Sequence, residues 1–181
     1  MKIRLASLLF AGMTFATAAV AQLRDADEVP RGEMSRADVD FMTTADAANM
    51  DQLMLANRAS SRARHSGVRS LAENATHSYR KADDALRLLA GAKHVDLKHR
   101  PSEKGQDEAD ALLDRRGTLD REYANDVAHD GDDIIGMYRD ASEHSDDPDV
   151  RAYAGTMLDA LHDLQRQATD LLAREGTGND D

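Results

Sequence analysis

Three histidines, His77, His129 and His162, stand in three separate amphipathic stretches with acids nearby, a combination that could hold a divalent metal. Imidazole and carboxylate are the ordinary ligands of such ions. Helical phase argues against an interior site. Leu71, Ala75, Tyr79 and Ala82 mark the inner face of one stretch, and His77 lies two residues, roughly 200°, away from Tyr79. The three histidines are therefore expected on the surface. Asp126, His129, Asp130, Asp132 and Asp133 crowd one segment. A calcium loop wraps its oxygens around a turn and closes with a bidentate Glu. This segment has helical spacing and no Glu at that distance, so it reads as a solvated acidic face. Glu73 and His77 miss by one residue the Glu-x-x-His spacing that turns two ligands inward in di-iron bundles. Met50 and Met54 are one turn apart, with Met42 upstream. Thioethers can hold Cu(I), but at this spacing they read as core fillers. No nucleophile motif is present, and with no cysteine, thiolate catalysis, disulfides and Cys-based metal sites are excluded.

The elements that would position these residues are helices. Val150, Tyr153, Met157, Leu161, Leu164, Ala168 and Leu171 recur at steps of three and four. Asp147 and Pro148 supply the cap and the first position of that last helix. Leu119, Tyr123, Val127, Ile134, Met137 and Ala141 predict a matching stripe on the helix before, capped by Thr118. Gly131 in its interior costs about 1 kcal/mol against Ala and points to a close approach or a kink. A first helix is expected from the Ser35 cap to about His65, with Val39, Met42, Ala45, Asn49, Gln52, Leu55 or Ala56, and Ala59 inside, and Ser66-Gly67 ending it. A second is expected over 68–92. Residues 94–106 read as the longest loop, and 107–115 as a short helix.

Charge and the termini bound the function. Lys2 and Arg4, an apolar run from Leu5 to Val20 and the small-x-small Ala19-Val20-Ala21 predict a cleavable Sec signal peptide over 1–21, with residues 22–34 a flexible lead-in. No Cys follows the cleavage point, which excludes a lipoprotein. Loss of Lys2 and Arg4, in a segment without acids, takes the net charge from −11 to −13. That balance argues against nucleic acid and anionic lipid surfaces. It leaves an envelope protein or a cationic ligand as partner. No stable membrane insertion is expected after cleavage. Residues 35–174 are expected to form one helical domain, and 175–181 a disordered tail.

Several stretches resemble the domain-of-unknown-function family 4142 of exported bacterial proteins. They are Phe41 to Leu55, Val68-Arg69-Ser70-Leu71-Ala72, Leu119-Asp120-Arg121-Glu122-Tyr123 and Asp147 to Ala154. The resemblance implies an all-α, ferritin-like up-down four-helix bundle, here with one extra short helix before the third long helix. It also implies an inward-facing Glu in the first helix and a His in each of the other three. At those positions this chain has Gln52, Tyr79, Asp130 or Gly131, and Leu164. Amide, phenol and alkyl groups are poor ligands for divalent metals, so no metal and no cofactor is expected there. Gln52, Tyr79 and Asp130 remain as a candidate inner polar layer in which buried polar groups need partners. The function expected is that of a non-catalytic periplasmic protein with an envelope or stress-related role; the competing class is a metal-binding or redox ferritin-like bundle.

Overall fold

The computed structural model describes residues 34–115, 117–130 and 132–177. The expected signal peptide, the lead-in up to residue 33 and the last four residues of the tail lie outside the described residues. Every described element is helical: α1 (Arg36–Arg62), α2 (Ser66–Lys93), α3 (Glu103–Asp114), α4 (Leu119–Asn125), a π-helical turn (Asp126–Asp130), α5 (Asp132–His144) and α6 (Pro148–Thr177). α1 packs on α2 and α3, while α6 packs on α2, α4, the π turn and α5. No helix among the described residues is long and apolar enough to cross a membrane.

The helix ends follow from local chemistry. Ser35 caps α1, its Oγ accepting the Asp38 N–H at 3.1 Å. Asp147 caps α6 by accepting the N–H groups of Asp149 at 2.8 Å and Val150 at 3.3 Å, with Pro148 in first place. Ser66-Gly67, expected to end the first helix, instead opens α2. α1 stops at Arg62, and the His65 side chain caps α2 by accepting from the Gly67 N–H at 3.2 Å. The Asp120 carboxylate takes up the N–H groups of Arg64 and His65 in that junction. α3 begins four residues earlier than expected, because Ser102 caps it and Gly105 falls within its first turn. Thr118 is not a side-chain cap for α4; its hydroxyl donates to Glu122 instead. α6 runs to Thr177, three residues past its expected end.

The third long helix is interrupted, and the interruption resets its inner face. Before it, Leu119 and Tyr123 are buried as expected. From the turn onward Ala128, Ile135 and Tyr138 are buried, each one place beyond the expected Val127, Ile134 and Met137, which are only half-buried, while Ala141 is buried as expected. A π turn closes its hydrogen bonds over one more residue than an α turn. It therefore advances the stripe by one position, about 100° of helical rotation.

The core is built from small and aliphatic side chains with few aromatics. Ala45, Ala59, Ala72, Ala154 and Ala168 are buried among Met42, Val68, Leu71, Leu86 and Val150. Phe41 meets Tyr138 edge-on, ring centroids 5.5 Å apart and planes at 89°, the favoured arrangement for two quadrupoles. Three acids, Asp38, Asp46 and Asp83, are buried with this core, as is Asn49. Charged side chains are rarely buried without a partner, so these positions call for a local explanation.

Candidate functional site

Asp46 of α1 and Asp83 of α2 face each other beneath His99, which lies in the connection between α2 and α3. The spacing explains the burial: Met42, Asp46 and Asn49 step by four and three along α1, as do Tyr79, Asp83 and Leu86 along α2. Both acids thus ride the apolar face. Asp46 Oδ2 accepts the backbone N–H of His99 at 2.9 Å. Its other oxygen, Oδ1, is buried without a hydrogen bond, and so is Asp83 Oδ1. His99 Nδ1 stands 3.2 Å from the first and 3.4 Å from the second. All three atoms lie within 4.8 Å of one another. Burial raises the Asp83 pKa, an effect that His99 opposes and the Asp46 charge reinforces.

The loop bearing His99 is held in place by α1. Asp51 accepts both the N–H of Ser102 at 2.7 Å and its hydroxyl at 2.6 Å. His99 itself has φ 49°, in the left-handed region that non-glycine residues rarely adopt. Behind the acids lies a closed polar layer. Tyr138 donates to Asn49 Oδ1 at 2.8 Å, Asn49 Nδ2 donates to the Tyr153 hydroxyl at 3.0 Å, and the two phenols are 3.2 Å apart. Burial raises the pKa of both phenols, so at neutral pH they are uncharged donors.

A second feature involves two residues of the expected inner layer. Gln52 and Tyr79 line the same groove, of about 550 Å³, together with Tyr123, Leu164 and residues of the π turn. Asp130 closes that turn, but its side chain is not among those described. Tyr79 and Tyr123 are buried. Burial raises both pKa values above the ordinary phenol range. The groove's lining mixes apolar side chains such as Leu55, Leu112 and Ile135 with charged ones such as Lys104, Arg115, Glu108 and Asp132.

The surface histidines do not converge. His77 and His129 are exposed and His162 half-buried. His77 borders a groove between α2 and α6, whereas His129 borders the groove of Gln52 and Tyr79. Among the described residues, the group of acids and histidine close enough to share one ion is Asp46, Asp83 and His99. The apolar stripes expected from the sequence leave out Asp46 and Asp83, and His99 falls in the expected loop over 94–106. The signal was available in the apolar phase, which places Asp46 and Asp83 inward whatever their charge.

Among the described residues every element is thus helical, with the Asp46, Asp83 and His99 cluster and the groove of Gln52 and Tyr79 set into an alanine-rich interior. Residues 23–171 match the model of the family described as Domain of unknown function (DUF4142), and the chain belongs to that family. No curated protein and no solved structure matches it.

Proposed function

We propose that this protein is exported to the periplasm and works there as a non-catalytic binding protein of the envelope, its helices arranged as a ferritin-like up-down four-helix bundle. The single observation that carries the binding role is the groove, which two buried tyrosines, Tyr79 and Tyr123, line beside the Gln52 amide. Small-molecule sites are commonly apolar clefts of about 300–1,000 Å³ with a few converging polar groups. Uncharged phenols donate hydrogen bonds to ligand acceptors. The leader pattern at residues 1–21 supports export.

Two measurements test the reading. Fractionation is expected to recover the chain from periplasm with its new N-terminus at Gln22; retention of residues 1–21 in the cytosol would overturn export. The neutral apolar dye N-phenyl-1-naphthylamine is expected to fluoresce on binding the groove, weakly or not at all with Leu164→Trp, which fills it. Equal dye binding by a folded Leu164→Trp variant would overturn the groove as the binding site.

A further inference from the structure

We infer that Asp46, Asp83 and His99 form a binding site for one first-row divalent cation of the Zn2+ or Mn2+ kind, held between α1, α2 and the α2–α3 connection. The inference is independent of the groove, which uses other residues on the other side of Asn49 in α1's sequence.

Geometry carries it. When ligand atoms stand 2.0–2.1 Å from a tetrahedral Zn2+, neighbouring ligands are about 3.3 Å apart. The two nitrogen–oxygen separations here are 3.2 and 3.4 Å. A protonated imidazole paired with carboxylate would instead draw one oxygen to about 2.7–2.9 Å along its N–H. Neither oxygen has such a bond: Asp46 Oδ1 and Asp83 Oδ1 are both buried and both lack a hydrogen-bond donor. Asp46 is only 1% exposed. Leaving carboxylate oxygens in that condition is costly, and one cation between them would satisfy both.

The surroundings suit an ion. Asp46 is oriented from behind, since its second oxygen is committed to the His99 N–H, and such outer contacts orient metal ligands. Asp51 anchors Ser102, three residues on. The His99 side chain is 30% exposed, which provides an entry path and leaves room for water at the remaining coordination positions. Arg87 and Asp84 are the other charged groups that act on Asp83, and their opposite charges offset one another. One nitrogen and two oxygens fall well short of the six to eight oxygens of a Ca2+ site, and imidazole favours Zn2+ and its neighbours over Mg2+.

The test is titration of the metal-free full-length chain, without an affinity tag, with Zn2+, Mn2+, Mg2+ and Ca2+ alone, followed by calorimetry and thermal melting. One equivalent of Zn2+ or Mn2+, with a raised melting temperature, is expected. Binding is expected to weaken at least tenfold in Asp83→Asn and in His99→Gly. The glycine variant removes the imidazole while suiting the left-handed backbone, so it keeps the test valid if changes at the buried acids impair folding. His77→Ala and Tyr79→Phe are expected to leave uptake unchanged. Absence of stoichiometric uptake, uptake that survives His99→Gly, or equal preference for Ca2+ would overturn the inference. Loss of dye binding alone bears on the groove and not on this site.

Discussion

The Asp51 carboxylate receives both the backbone N–H and the hydroxyl of Ser102, at 2.7 and 2.6 Å, joining the middle of α1 to the start of α3. Ser102 in turn accepts the N–H of Gly105 at 2.9 Å, so one acid organises the cap of a helix 51 residues away. Asp51→Ala is expected to lower stability by about 2 kcal/mol, since it removes two hydrogen bonds to a charged acceptor and leaves their donors to solvent. Asp51→Asn, which retains one acceptor, is expected to lose less. Urea unfolding of the three proteins checks the order.

Two glycines should respond in opposite ways to the same methyl group. A Cβ on Gly105 would overlap the Asp51 carboxyl group and come within 2.7 Å of its Cβ, near the root of a side chain held by Ser102. A Cβ on Gly67 would meet the end of Leu171 at 2.5 Å, a flexible tip that can swing away. Gly105→Ala is therefore expected to cost about 1–3 kcal/mol by overpacking. Gly67→Ala is expected to stay within about 1 kcal/mol, with helix propensity offsetting the crowding. Equal losses in thermal melts would show that the Asp51 contact is not rigid.

Tyr138, Asn49 and Tyr153 form a triangle of hydrogen bonds in which each residue has two partners. Tyr138→Phe leaves the fully buried Asn49 carbonyl oxygen without its donor, at an expected cost of about 1–3 kcal/mol. Tyr153→Phe breaks the other side and is expected to cost a similar amount. Because the three share one network, the double variant is expected to fall short of the sum. Additive losses in chemical denaturation would mean that the phenols act separately.

Periodicity made most of the fold legible. Val68, Leu71, Ala75, Tyr79, Ala82 and Leu86 are buried as their spacing predicts, and so are Val150, Tyr153, Met157, Leu161, Leu164 and Ala168. The phase failed where the helix itself changes period, and at the start of α1, where Asp38 is buried and the expected Val39 is half-buried. A π turn at 126–130 has no side-chain signature, so Ile135 and Tyr138 took the inner positions expected for Ile134 and Met137. The Asp46, Asp83 and His99 cluster was hidden for a different reason. Two of its members look like surface acids by type although their phase is internal, and the third reaches them from a loop whose path depends on Asp51. Gln52 and Tyr79 share one groove, while the Asp130 side chain is not among those described.

The contact between Lys93 and the turn before α6 should govern the response to acid. Lys93 Nζ lies 2.6 Å from Asp147 and 2.8 Å from Asp149, tying the end of α2 to the start of α6. Burial pushes the Asp147 carboxyl upward, but hydrogen bonds from Lys93 and from the N–H groups of Asp149 and Val150 outweigh it and hold the pKa below the usual value. Hydrogen bonds to the two acids hold Lys93 above its ordinary value. The signs then differ at the two ends of the scale. A lowered carboxyl stabilises the fold above its unfolded pKa, and the benefit is lost as pH falls through the folded value, below 3.8. A raised amine stabilises the fold below 10.5, and the benefit is lost as pH rises through its folded value, above 10.5. Asp147→Ala also removes the α6 cap, so a loss of about 1–2 kcal/mol is expected at neutral pH. Relative to the parent chain, that loss should shrink below pH 3.8, where the parent carboxyl becomes protonated as well. Lys93→Met should show its deficit across neutral pH and converge with the parent on the alkaline side, where the parent amine loses its charge, and again in strong acid, where its carboxylate partners lose theirs. Melting temperatures recorded from pH 2 to 11 for the three proteins would reveal these two limbs; a deficit of Asp147→Ala that stayed constant into strong acid would place the effect in packing and not in charge.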